Sequence, residues 1–287
     1  MSSPRRPVLI LLRLALAGLF LLPLLWAGLA ALRPAGTPLS APLLTGPPTL
    51  DAFGRLFRVL PIWRFTANSL LVVALAVPLT LLTASWAGFA MARLPRPSQR
   101  RWVLISLMAL MVPGVALWSS RFLIYTWLGI IDSVWALIAP AFMGSSPFYV
   151  LIFYRAFRRI PSAIYDAAEL DGAGVLAMWG RVALPIARSS AAAVAVLAFV
   201  AYWGDYLSPL LYLSDARRYT LPVALQLLQQ LGRSDYPLLM AGAAWATAAP
   251  LLLVVAAVTA LALAERRARQ PGAAKRYRQG ANGQKHS

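Results

Sequence analysis

Apolar positions in this chain fall in six long blocks, at 8–32, 67–92, 102–124, 133–157, 186–206 and 238–263, with polar stretches between them. Each block has about 20 residues or more, the length an α-helix needs to cross a hydrocarbon layer about 30 Å thick. None shows the short apolar–polar alternation of a membrane β-strand. The pattern predicts an all-α polytopic membrane protein with six transmembrane helices. Pro113-Gly114 interrupts the third block and predicts a kink. Pro34, Pro38, Pro42, Pro47 and Pro48 make the connection after the first block irregular. The later part of that connection, 50–63, has the mixed character of an amphipathic helix lying on the membrane surface. Residues 129–132 read as a tight turn, and 208–237 as a second long excursion.

Composition sharpens the picture. Of 287 residues, 60% are hydrophobic and 13% charged, against about 45–50% and about 25% in soluble domains. The net charge of +18 does not point to nucleic acid, because basic density alternates from one connection to the next. Arg5, Arg6, Arg93, Arg96, Arg100, Arg101, Arg155, Arg158, Arg159, Arg181, Arg188 and the basic tail lie on one side. The other side has Arg33, Arg55, Arg58, Arg64, Arg121, Arg217, Arg218 and Arg233. By the positive-inside rule the denser side is cytoplasmic, so both termini are expected there. The first block exceeds the about 7–15 apolar residues of a signal peptide and is expected to remain as a span. The expected organisation is a cytoplasmic end and first helix in 1–32, an external loop at 33–66, and a membrane core at 67–264 with a cytoplasmic loop at 159–186. A basic tail at 265–287 follows, placed against anionic lipid headgroups.

Absences narrow the chemistry. There is no cysteine, the one histidine is His286, and the only lysines are Lys275 and Lys285. Disulfides, thiolate metal sites and a phosphate-binding P-loop are therefore excluded. No residue set suits a catalytic metal or a Ser–His nucleophile, and the spans lack the carboxylate chains of proton-coupled carriers. No catalytic, metal or cofactor-binding residue is expected.

The polar insert between the fourth and fifth blocks stands out. Pro161 stops the preceding helix, and Ser162 is positioned to cap a short helix through Leu170. Gly172 falls where a left-handed helix end is wanted. A second helix is expected from Val175 to Ala183, ended by Leu184-Pro185. Asp166 and Glu169 lie three apart on one helix surface, where they would pair with a partner's basic residues or with Arg158, Arg159 and Arg181. Ala167 and Ala168 allow close approach, and Ile164, Leu170, Met178 and Trp179 would supply an apolar anchor. The alternative is an ordinary interfacial loop with solvated charges. Trp203 and Asp205, near the outer end of the fifth block, either line a path for a polar solute or belong to an interfacial aromatic belt.

Asp166-Ala167-Ala168, then Asp171-Gly172-Ala173, then Leu184-Pro185 resembles the "EAA" loop of the membrane-spanning subunits of ABC importers, in their sugar-permease branch. Asn68-Ser69, Leu128 to Ser133, Tyr202 to Tyr206 with Ser208-Pro209-Leu210, and Tyr219 to Pro222 extend the likeness across the six blocks. Three departures stand out: Asp166 replaces the usual Glu, Gly204 replaces the usual Asn, and the customary ending is reduced to Gly272-Ala273-Ala274-Lys275. The resemblance implies that the loop docks on a separate ATPase, which uses the ATP. It implies two ATP-binding subunits, a second permease subunit of different sequence, and an extracytoplasmic solute-binding protein delivering sugars. A stand-alone carrier driven by an ion gradient and a membrane scaffold without transport are the competing readings.

Overall fold

The computed structural model describes residues 5–38, 40–42, 45–231 and 235–268. The expected tail, with Lys275, Lys285 and His286, falls outside the described residues from position 269 on, and Arg233 is outside them too. Among the described residues the regular structure is helical, with no strand.

The first helix, α1, is Arg5–Ala31. An irregular Pro-rich connection leads to α2, Asp51–Val59. Leu60-Pro61 then turns the chain into α3, Ile62–Arg93. The surface helix is thus shorter than 50–63, and the second span starts at Ile62 instead of Ala67, because Pro61 fits a helix entry and not a helix interior. Next come α4, Arg96–Met111, and α5, Trp118–Trp127. The expected kink at Pro113-Gly114 is a break that bends the third block by 90°. The fourth block is also interrupted. It runs as α6, Val134–Ile138, a tight turn Ala139–Met143, and α7, Pro147–Arg158. Gly144 (φ 74°) and Ser145 (φ 58°) between them are both left-handed. After the insert come α8, Ser162–Leu170, α9, Val175–Ala177, and α10, Leu184–Ile186. The chain continues through α11, Arg188–Trp203, α12, Leu207–Tyr212, α13, Leu221–Leu231, and α14, Tyr236–Ala268.

Two of these segments, Ile62–Arg93 and Val134–Arg158, are long and apolar enough to cross a membrane, and up to four are if each bent pair counts as one span. At the two ends, Leu21–Ala31 and Tyr236–Leu252 are shorter apolar helical stretches.

Helix α3 is the central post, packed by α7, α11, α13 and the Ala139–Met143 turn. Its approach to α7 needs Gly88, since a Cβ there would lie 2.7 Å from Phe153 Cβ and from the Tyr154 backbone nitrogen. Small residues at such crossings matter more in lipid than in water, because apolar burial drives little helix association there and van der Waals fit takes over. Phe89, Phe153 and Phe157 form one buried core toward the Arg93 end of α3. Leu56, Ile62, Phe65, Trp203, Leu221 and Leu228 form a second core at its other end.

Polar staples hold the segments at the Ile62 end of α3. Arg55 bridges Asp51 and Asp235, tying α2 to the start of α14. Asn68 Nδ2 donates to the carbonyls of Arg217 and Tyr219, both at 2.9 Å, and Ser69 Oγ accepts from Leu221 N–H at 2.8 Å. The expected 129–132 turn closes with Gly129 (φ 68°) and Asp132 (φ 54°) in left-handed geometry. The Asp132 carboxylate accepts from Ser214 N–H (2.9 Å) and Asp215 N–H (3.0 Å), and Arg218 pairs with it at 3.0 Å. Backbone donors from Asp215 and Ser214 hold its pKa below the ordinary carboxylate value. Asp215 is lowered as well, first by the Arg217 N–H. A lowered carboxylate stabilises the fold above its unfolded value, about 3.9, and that contribution is lost as pH falls through the folded value. Hydrogen exchange at Ser214 and Asp215 should therefore accelerate once pH drops below the usual carboxylate range. In Asp132→Asn it should already be fast at neutral pH and gain little more from acid.

Candidate functional site

The insert folds as a compact hairpin of short helices. Pro161 occupies the position before α8, and the Ser162 side chain makes no capping bond, so Ser162 is the first helical residue and not the cap. Pro161 supplies the helix start through its fixed φ instead. At the other end of α8, Gly172 N–H donates to Glu169 O (3.0 Å) and Ala173 N–H to Ala168 O (2.9 Å). This pair of bonds is a Schellman motif, and it requires the left-handed Gly172, at φ 78°.

The second half departs from expectation. Residues Met178–Ala183 form a π-helix between α9 and α10, so Leu184-Pro185 does not end the helix. The wider turn accommodates Pro185, whose missing N–H and ring would clash in a regular α-helix. The chain redirects two residues later, at Ala187, where Val175–Ile186 and α11 meet at 84°.

Tyr165 is the root of the hairpin. It is buried, its ring meets Phe89 at 6.1 Å, and its hydroxyl donates to Phe157 O at 3.5 Å. Burial pushes its phenol pKa up, partly offset by Arg93. The Arg93 guanidinium lies 5.0 Å over that ring and pairs with Glu169 at 3.8 Å. Glu169 is thus held by Arg93 at the end of α3, not by Arg158, Arg159 or Arg181. Sequence spacing misses this partner because α3 lies one fold-layer away from the loop.

The apolar residues divide. Met178 is buried in the core at the Arg93 end of α3, and half-buried Trp179 packs on Trp86 at 5.2 Å, so Met178 is not available to a partner. Leu170 is 89% exposed, and Ile164, Val175 and Leu176 are exposed beside it in sequence or across the turn. Asp166, Ala167, Glu169, Asp171, Gly172 and Pro185 are exposed, and Ala168 and Leu184 are half-buried. The hairpin therefore presents an apolar tip edged by carboxylates. Val175 and Leu176 were legible in sequence only as helix, since both neighbours of an exposed tip read as ordinary apolar positions.

A second site lies at the α6–α7 break. A cavity of about 220 Å³ is lined by Arg121, Ser145, Tyr149, Tyr202, Asp205 and Tyr212, among others. Ser145 Oγ hydrogen-bonds the Tyr202 hydroxyl at 2.7 Å and also Thr80 Oγ1, which knots α3, the α6–α7 break and α11 together. Asp205 accepts from Ser208 N–H at 3.0 Å. Trp203 takes no part. It is 7% exposed, stacks on Phe199 at 5.6 Å, and donates its indole N–H to Ala246 O at 3.1 Å. The helical step between 203 and 205 points their side chains in different directions, so the two candidates separate, with Asp205 at the cavity and Trp203 in the second core. Tyr202 shares the sequence position of Trp203 and Asp205 and their two readings, but Arg121, Tyr149 and Tyr212 gave no sequence signal, because the break that brings them together is set by Gly144 and Ser145.

Known proteins with this pattern are transport subunits. The maltodextrin transport system permease protein MdxG of Bacillus subtilis is 29% identical over 178 residues, covering 62% of this chain and 64% of its own length. The diacetylchitobiose uptake system permease protein NgcG of Streptomyces coelicolor is 28% identical over 237 residues, covering 82% of this chain and 78% of its own. The chain thus spans less than two thirds of MdxG and more of NgcG. A crystal structure of a bacterial ABC transporter involved in the import of the acidic polysaccharide alginate contains a chain with the same fold. Its TM-score is 0.69 at 18% identity, over 90% of this chain and 98% of that one. Residues 81–270 match the profile of the binding-protein-dependent transport system inner membrane component, and they include the hairpin, its brace on Arg93 and most of the cavity lining; the chain belongs to that family.

Proposed function

We propose that this chain is a permease subunit of an ATP-driven sugar importer, and that its hairpin is where a separate ATPase docks. The observation that supports docking most directly is the exposed Leu170 tip, edged by Asp166 and Asp171 and rooted in the core through Tyr165. Exposed leucine at the end of a braced polar hairpin fits a partner's groove, with carboxylates at the rim for specificity. In this reading the bent third and fifth blocks each count as a span, and α1 and α14 complete six, with both termini and the hairpin cytoplasmic. The full assembly has two ATP-binding subunits, a second permease subunit of different sequence, and an extracytoplasmic solute-binding protein. ATP is bound by the ATPases, and this chain holds no cofactor. An ion-gradient carrier would have no ATPase to dock on such a hairpin.

Purification in mild detergent tests the assembly. The wild-type subunit should bring an ATPase, a second permease and a solute-binding protein. Leu170→Arg should lose the ATPase while keeping the second permease. Recovery of the ATPase at wild-type level with Leu170→Arg would remove the tip from the interface.

The cavity supplies the sugar path. Arg121 offers donors and Asp205 an acceptor within one small space, and a sugar's neighbouring hydroxyls both donate and accept. Asp205→Asn keeps the Ser208 cap but removes the charge. It and Arg121→Gln should each lower uptake about tenfold, since a charge-assisted hydrogen bond contributes about 1.5–3 kcal/mol. Uptake by the solute-binding-protein-dependent route in membrane vesicles is the measurement. Unchanged rates in both variants would place the path elsewhere.

A further inference from the structure

We infer that the seam between α4 and α7, at the cytoplasmic end of the bundle, is a binding site for an acidic phospholipid headgroup. The seam is built on a chain of hydrogen bonds. Arg158 donates to the Tyr154 hydroxyl at 3.2 Å, and Tyr154 donates to Gln99 Oε1 at 3.2 Å. Gln99 Nε2 in turn donates to the carbonyls of Ala92 (3.0 Å) and Leu94 (2.7 Å), which fixes the start of α4 against the end of α3. Gln99 is buried by this arrangement.

Helical spacing places Arg96 on the α4 stripe of Gln99 and Arg158 on the α7 stripe of Tyr154, with Arg100 one turn beyond Arg96 and Arg155 one turn before Arg158. All four are exposed. Arg158 is engaged by Tyr154, but Arg96, Arg100 and Arg155 have no carboxylate partner among the described residues. The contrast with Arg93 is direct, because that residue of the same end is held by Glu169 and Tyr165. Glu169, the hairpin carboxylate that makes an ion pair, is thus directed to Arg93, and none of the described carboxylates pairs with Arg96, Arg100 or Arg155.

The apolar surroundings favour lipid over protein as the source of the missing anion. One turn further along α4, Trp102, Leu104 and Ile105 are exposed, and Met108 follows. An aromatic residue at the boundary between arginines and bare aliphatic surface is the arrangement of a membrane interface. A phosphodiester would meet the arginines there while its acyl chains lie along α4. Each arginine near an acidic membrane surface adds about 1 kcal/mol of attraction, and the planar fork of guanidinium suits phosphate oxygens.

Native mass spectrometry of the delipidated subunit, with added cardiolipin or phosphatidylglycerol against phosphatidylcholine, tests the site. Wild type should retain the acidic lipids selectively. Arg96→Gln/Arg100→Gln/Arg155→Gln should weaken retention at least about tenfold, while the equally charged external set Arg58→Gln/Arg64→Gln/Arg217→Gln should not. Equal loss in both sets would reduce the effect to net charge and overturn the site. Displacement by an excess of inorganic phosphate as effective as by soluble headgroup-bearing lipid would make it a phosphate site instead. Unchanged retention of the acidic lipids by the Arg96→Gln/Arg100→Gln/Arg155→Gln variant would overturn the site. The assay needs no transport, so its result stands apart from the importer reading.

Discussion

A Gly172→Pro subunit reaches the membrane in normal amount and supports less than about a tenth of wild-type uptake. Proline fixes φ near −65° and removes a donor, whereas Gly172 sits at φ 78° and gives its N–H to Glu169 O. The Schellman end of α8 cannot then form, and the exposed tip at Leu170 loses its orientation relative to α9. The mismatch costs about 3 kcal/mol or more locally, but the core contacts of Tyr165 and Phe157 lie on the other side of the hairpin and keep the subunit folded. The site is open, with nothing within 4 Å of an added Cβ, so other replacements fail only through φ. Gly172→Ala should be intermediate, at about 1–2 kcal/mol, and Gly172→Asn milder, since asparagine tolerates this conformation. Uptake and membrane abundance measured together decide it. Normal uptake in the proline variant would mean the hairpin geometry is not what couples the subunits.

Gly88→Val removes the folded subunit. The added Cβ would sit 2.7 Å from Phe153 Cβ, 2.7 Å from Tyr154 N and 2.9 Å from Val150 O. Two of these are backbone atoms, which cannot turn aside as a flexible side chain would. The variant must separate α3 from α7, at about 3 kcal/mol or more, and this contact organises both the core at the Arg93 end of α3 and the seam at Gln99. Even Gly88→Ala should lower the melting temperature in detergent. Gly28→Ala, where nothing lies within 4 Å, should have no effect. A stable, abundant Gly88→Val subunit would show that α3 and α7 pack more loosely than described.

The sequence carries the class of this fold in its apolar blocks, because block length answers directly to membrane thickness. It also carries the hairpin's glycine turn, since φ above zero is nearly a glycine property. Where the helices break is less legible. Pro113-Gly114 reads as a kink yet turns the chain by 90°. Gly144-Ser145 gives no warning at all, because a serine at φ 58° depends on Thr80 and Tyr202 holding its hydroxyl. The same reason hides the Glu169–Arg93 pair and the Arg121–Asp205 cavity. Each depends on residues far apart in sequence that only α3 brings together. Trp203 shows the opposite failure. Its neighbour at 205 faces the cavity, but a polar surrounding motif says nothing about which way each side chain turns.

The interruption at Gly144–Ser146 leaves α7 as a separate rod of 12 residues, about 18 Å long. Its lower end leads directly into the hairpin, and its upper end adjoins the serine that closes the cavity floor. A rod pivoting by about 3° at one end displaces the other by about 1 Å. Added to the 2.7 Å between Ser145 Oγ and the Tyr202 hydroxyl, that is enough to break the bond, since hydrogen bonds fail beyond about 3.5 Å. An uninterrupted helix would spread the same tilt along the whole span, up to the far surface. The broken one works as a pointer, delivering a small angular displacement at the hairpin end to a single hydroxyl pair in the interior.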